Sequence, residues 1–208
     1  MRRSLYFFLL LAIFFIVPSL SVAGEAPHKI AGFTLGQQIG MYVDLVRMQT
    51  SIPLRHREYL RVVEIQDIEG YKSGYIIFGN CAEPGRIVRI KLKYDNADKK
   101  FYDELLKRFK ERFGEPDTWR GDPFHVIISW KWAFRDRNNH RITLHLQHST
   151  DEEYKFGNSL KLTNVTLMEK ERSCYQKKHP EPVESQGSRT GGKERRLKEK
   201  DYQRFIPK

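Results

Sequence analysis

Ile87-Val88-Arg89-Ile90-Lys91-Leu92-Lys93-Tyr94 is the stretch that decides the fold. Val88, Ile90, Leu92 and Tyr94 fall on one face of an extended chain, and Arg89, Lys91 and Lys93 on the other. This is the period-two pattern of a strand with one side in a core and the other in water. Strands of that kind belong to antiparallel sheets covered on one face.

Working outward, two more stretches read as strands. Tyr59 to Gln66 and Gly74 to Cys81 are rich in β-branched and aromatic residues, with Gly, Pro or Asp between them. Further upstream, Ile30 to Gly36 reads as a short strand and turn. Ile39, Val43 and Val46 then predict a helix over Gln37 to Met48. Downstream, Phe101, Leu105, Phe109 and Phe113 recur every four residues, widened by Tyr102 and Leu106, and predict a helix over 98–113. Asp103 with Lys107 and Glu104 with Arg108 stand at i,i+4. Gly114 and Pro116 end the helix.

The next two strands fix their own register. Ile128, Trp130, Trp132 and Phe134 alternate with polar or small residues, as do Ile142, Leu144 and Leu146. A two-residue Asn138-Asn139 loop would set Trp132 against His145. A three-residue loop over 137–139 sets Trp132 against Leu144 and Phe134 against Ile142, with Asn139 in the left-handed region. The three-residue loop is the one that keeps the apolar faces together. A last strand is expected over Ser159 to Met168, carrying Leu160, Leu162 and Leu167. The fold expected is α+β, an antiparallel sheet with two main helices packed on one face, arranged as two helix–three-strand repeats.

Phe33-Thr34-Leu35-Gly36 leading into a helix, and the helix ending Arg112-Phe113-Gly114-Glu115-Pro116, resemble the helix-plus-meander modules of the β-lactamase-inhibitor-protein and outer-membrane assembly lipoprotein group. The resemblance runs as a pattern from Phe33 to Met168. It implies a module that binds other proteins and performs no catalysis. The lipoprotein cysteine of that group is absent here. The whole chain also resembles exported bacterial proteins of uncharacterised function, which implies a compartment.

The compartment is also read from the residues. Met1-Arg2-Arg3-Ser4 is a short positive segment, Leu5 to Val17 is apolar, and Ser21 and Ala23 stand three and one residues before Gly24. That is the pattern of a cleaved secretory leader over 1–23, so a periplasmic or secreted protein is expected. The apolar run is shorter than the roughly 20 residues a spanning helix needs, and no transmembrane segment is expected after cleavage. Residues 24–175 are expected to form one α+β domain and 176–208 a disordered basic tail.

The chain carries a net charge of +11. With Arg2, Arg3 and the tail set aside, about +4 remains on the folded part, too little to demand nucleic acid. The two cysteines, Cys81 and Cys174, are expected to bridge, closing a long loop worth about 4 kcal/mol. The alternative for Cys81 is a reactive thiol.

The candidate site is the polar face of the sheet. Arg89, Lys91, Lys93, Lys131, Arg141, His145 and Lys161 all point away from the apolar side. Gathered by neighbouring strands, they suit phosphate, carboxylate or acidic protein. The plainer reading is that they solvate a one-sided sheet and guard it against aggregation. Trp119 to His125 is the most distinctive loop. There Trp119 and Phe124 are placed to cap the core, Arg120 to pair with Asp122, and Arg120-Gly121-Asp122 forms an adhesion-type string. Asn164-Val165-Thr166 is a glycosylation sequon set in a strand. No metal site, catalytic motif or cofactor-binding motif is found in the sequence, His125 near His148 being the nearest to one.

The function expected is a non-catalytic exported protein binding another envelope protein or an anionic envelope component. The alternatives are a small secreted hydrolase or thiol-dependent enzyme, and a general polyanion binder.

Overall fold

The computed structural model describes residues 25–122, 124, 126–151 and 156–180. The expected leader, the tail beyond Pro180, Pro123 and His125 lie outside the described residues. β1 (Lys29–Ile30) and β2 (Phe33–Thr34) form a two-stranded ribbon. Then follow β3 (Ile52–Leu54), β4 (Arg57–Glu64), β5 (Tyr71–Gly79), β6 (Ile87–Tyr94) and helix α1 (Lys99–Phe113). The second half holds β7 (Thr118–Gly121), β8 (Ile127–Arg135), β9 (Arg141–Ser149), β10 (Gly157–Asn164) and helix α2 (Val165–Lys178).

Strands β3 to β10 make one antiparallel sheet in the order β3-β4-β5-β6-β10-β9-β8-β7. The α+β class is as expected. The sheet is two four-strand meanders, β3 to β6 and β7 to β10, whose last strands meet at the centre.

The expected helix over Gln37 to Met48 is not there. The chain instead makes two 3-10 turns, Ile39–Tyr42 and Met48–Thr50. Ile39 and Val46 are buried as the spacing requires, but Val43 is exposed. Gly40 adds about 1 kcal/mol against a helix here. Val46 bridges to Ile65, and Ile39 donates its amide to Gly85, so each apolar residue is pinned separately. The helix–three-strand repeat therefore fails at its first helix.

Helix α1 matches expectation. Tyr102 is buried, and Phe101, Leu105, Leu106, Phe109 and Phe113 pack on a core that includes Ile90, Leu92, Trp132, Leu144 and Leu160. Glu104 pairs with Arg108 at 2.8 Å, while Asp103 takes Lys99 rather than Lys107. Gly114 ends the helix at φ 79°, a conformation open to glycine at little strain, and its carbonyl accepts the Trp132 indole N–H at 2.9 Å.

The β8–β9 register is the one argued above: Trp132 opposes Leu144, Phe134 opposes Ile142, and Asn139 has φ 62°. The Asp136 amide donates to the His140 carbonyl at 3.0 Å, closing the three-residue loop.

Further expectations are corrected. The last strand stops at Asn164, and Leu167 belongs to α2. Asn164 Oδ1 accepts the Leu167 amide at 3.0 Å, so this side chain caps the helix and is buried, unsuited to glycosylation. Helix α2 reaches Lys178, where the compact unit also ends. The helices do not share a face. Leu167 and Met168 of α2 pack with Leu60, Ile77 and Val88, on the side opposite α1. Val88 is the extra residue of a bulge between β5 and β6, where the register shifts between Ile77 and Phe78. Ile87, not Val88, therefore joins Ile90 and Leu92 in the α1-side core.

Candidate anion-binding face

The sheet register sets the polar side chains in rows. Residues directly opposed on neighbouring strands project to the same side, at a strand spacing of about 4.8 Å. One row runs Lys131 (β8), His145 (β9), Lys161 (β10), Lys91 (β6) and Tyr75 (β5). The row on one flank holds Arg120, Ser129, Gln147, Ser159 and Lys93. The row on the other holds Thr143, Thr163 and Arg89.

Six of the seven expected site residues thus stand together: Arg89, Lys91, Lys93, Lys131, His145 and Lys161. Arg141 does not join them. It lies at the hairpin end of β9, opposite Arg135, and forms an ion pair with Glu169 of α2. Arg120, Tyr75, Ser129, Gln147 and Ser159 complete the face. Sequence patterning places Arg120 in a loop, because β7 is only four residues long and exposed throughout.

Arg89, Lys91, Lys93, Lys131, His145 and Lys161 are half-buried. All but Lys131 line two adjoining depressions. One, of about 170 Å³, is bounded by Tyr75, Arg89, Lys91, His145 and Lys161 over Ser129, Gln147 and Ser159. The other, of about 370 Å³, shares Tyr75, Lys91, Gln147 and Ser159, and adds Lys93, Lys72, Tyr71 and Phe156 together with the carboxylates of Glu64 and Asp67, both paired with Arg47. Among the described residues, Arg89, Lys91, Lys93, Arg120 and Lys131 have no carboxylate partner. Arg89 is oriented instead by neutral groups, its Nε donating to Thr163 Oγ1 at 2.9 Å and its Nη2 lying 3.6 Å from the Met168 sulfur. The Lys91 ammonium lies 5.4 Å from the centre of the Tyr75 ring.

This crowding is felt at His145. Burial first, then the charges of Lys161, Lys131, Arg89 and Arg120, push its pKa down to about 4. An unfolded histidine titrates near 6.5, so between those values the unfolded chain binds a proton that the folded chain refuses. Stability that is full above about pH 6.5 is lost as the pH falls toward 4. Urea midpoints measured across that window should fall less steeply in His145→Gln than in the parent.

The other candidates have structural roles. Cys81 and Cys174 are bridged, as expected, with Cα atoms 5.9 Å apart, and no free cysteine is found among the described residues. Beside the bridge, the buried Glu171 of α2 accepts the amides of Asn80, Cys81 and Ala82 on one oxygen, at 3.1, 2.7 and 3.0 Å, and that of Glu83 on the other at 2.6 Å. A Cβ at Gly79 would meet Glu171 Oε1 at 2.5 Å and the Glu83 carbonyl oxygen at 2.7 Å, so the end of β5 accepts only glycine there. Sequence reasoning missed this clamp.

Buried His148 bonds Asn158 at 2.8 Å and packs on Tyr102. It is a core residue, and His125 lies outside the described residues. Asp136 sits 3.5 Å from His28 and 3.1 Å from His140. Its carboxylate also accepts the amides of Asn138 and His140, which assigns it to the hairpin turn. No group of three metal-ligating side chains occurs among the described residues.

Asp122 is likewise occupied by backbone, accepting the amides of Phe124, Val126 and Ile127 at 2.9, 3.2 and 2.5 Å. It neither pairs with Arg120 nor presents a free carboxylate for adhesion. Trp119 and Phe124 are exposed rather than capping the core. Searches against protein families, characterised proteins and solved structures found no match.

Proposed function

We propose that this protein is a non-catalytic exported binding module whose polar sheet face docks an acidic envelope protein or an anionic envelope component. One observation carries the reading. Lys91 and Lys161 oppose each other directly on the two central strands, half-buried, in a row that also holds Lys131 and His145. Like charges set directly opposite destabilise a sheet. A fold that keeps them on its two central strands bears that cost for a function, and an anionic ligand is the partner that turns their repulsion into attraction.

Other features agree with this reading. The Cys81–Cys174 bridge suits an oxidising compartment, and no helix among the described residues is long and apolar enough to cross a membrane. Bridging of Cys81 removes the nucleophile of the thiol-enzyme alternative.

Stability and binding should separate in the Lys91→Gln/Lys161→Gln double variant. Its urea midpoint should equal or exceed that of the parent, by up to roughly 0.5 kcal/mol in free energy. Cross-linking in cells should join the parent to a partner through Lys91, Lys93 or Lys131, and the double variant should lose the product. A destabilised double variant that keeps its cross-links would show that the two lysines are structural. A general polyanion binder would instead lose affinity steeply with salt for every polyanion alike.

A further inference from the structure

We infer that the smaller depression, between Tyr75, Arg89, Lys91, His145 and Lys161, is a built site for a phosphate-class dianion. The inference rests on the anion-binding reading of this face and names its ligand chemistry.

Its charge comes first. Arg89 and Lys91, neither with a carboxylate partner among the described residues, bring two permanent positive charges to a space of about 170 Å³ that Lys161 also lines, and no carboxylate among the described residues lines it. One negative charge would leave part of that field uncompensated. A group with two charges and three or more oxygens matches it better.

Its other lining groups are neutral donors. Tyr75, Ser129, Ser159 and Gln147, which carry hydroxyls and an amide, line the same space. A carboxylate has two oxygens and would leave part of this set unmatched. A terminal phosphate presents three.

Its position comes third. The lining residues come from β5, β6, β8, β9 and β10, all inside the sheet and none from a loop. Donors fixed on strands need little reordering when the anion arrives. The space is also too small for a nucleic-acid duplex or a protein segment, so only a terminal group of a larger molecule fits it.

His145 adds a signature. It faces Lys131 on β8, Lys161 on β10, Arg89 on β6 and Arg120 on β7. A dianion among these groups offsets their positive field, so the His145 pKa rises on binding, while burial still holds it below the ordinary value. By linkage, affinity for sulfate, which stays a dianion throughout, rises as the pH falls toward the His145 range, whereas phosphate itself protonates to the monoanion below neutrality.

The test is calorimetric titration of the full-length secreted chain with inorganic phosphate, with the His145 imidazole followed by NMR. The expected result is saturable binding, competed by sulfate but not by acetate, with the His145 pKa moving up on binding. Lys161→Gln and Arg89→Gln should each weaken it about tenfold or more. Arg141→Gln should leave it unchanged, and urea midpoints check that each variant is folded.

Glycerol phosphate and phosphatidylcholine vesicles doped with phosphatidic acid distinguish the source. Binding of glycerol phosphate alone supports a soluble phosphate ester. Vesicle binding lost in Lys161→Gln supports a lipid headgroup. Acetate competing as well as phosphate would overturn the inference. So would poly-glutamate binding, weakened by the same variants, in a protein that ignores phosphate, although the anion-binding reading of the face would then survive. If neither anion binds, both readings fall.

Discussion

With Cys81→Ser and Cys174→Ser in place, the protein unfolds with about 4 kcal/mol less free energy than the parent. The bridge joins residues 93 apart and ties α2 to the loop after β5. In the unfolded chain it removes most of the freedom of that long segment. Urea unfolding of the double serine variant, compared with the oxidised parent, gives the number directly. A loss below about 1 kcal/mol would mean that strain in the folded state cancels the entropic gain.

Glu171→Leu should cost about 3 kcal/mol or more. Four consecutive amides converge on this one carboxylate, at 2.6 to 3.1 Å. Leucine fills the space but accepts nothing. Hydrogen bonds to a charged acceptor contribute about 1.5–3 kcal/mol each, and part of that is recovered when water reaches the loop. Glu171→Gln keeps one oxygen and should lose roughly half as much. The bridge and the carboxylate hold the same loop, so their effects should not add, and a double-mutant cycle should show coupling of about 0.5–3 kcal/mol. Full additivity would mean that each restrains a different motion.

The parts of the fold that were legible are those where burial and alternation agree. In β8 and β9 every second residue is apolar, and a slip by one would bury His145, so sequence alone sets the register and demands the left-handed Asn139. The α1 stripe is legible for the same reason.

α2 was hidden because its inward stripe is chemically mixed. Leu167, Met168, Glu171, Cys174 and Tyr175 have helical spacing, but the most buried member is a charge and another is half of a disulfide. Hydrophobic periodicity cannot register a carboxylate held by backbone amides. The 37–48 segment failed in the opposite way. Ile39 and Val46 have helical spacing by coincidence, and tertiary contacts bury each by a separate route.

In the candidate site, the cations of β6, β8, β9 and β10 were legible from alternation. Their alignment into one row was not, because it depends on how β6 meets β10, a pairing between strands far apart in sequence.

That pairing also sets the order of events when the chain folds. Every other neighbour pair in the large sheet follows directly along the chain, whereas Lys91 must find Lys161. The two meanders form from short-range contacts, and the seam between them closes late, at the highest contact order in the sheet. The bridge shortens that search. With Cys81 joined to Cys174, the path from Lys91 to Lys161 through the bridge spans roughly two dozen residues instead of 70. Loop-closure scaling makes seam formation roughly fivefold faster in the oxidised chain. Stopped-flow refolding of oxidised and reduced protein reads that ratio. The charged row exists only once the seam has closed, so ligand binding during refolding should appear with the slowest phase, after the hairpins.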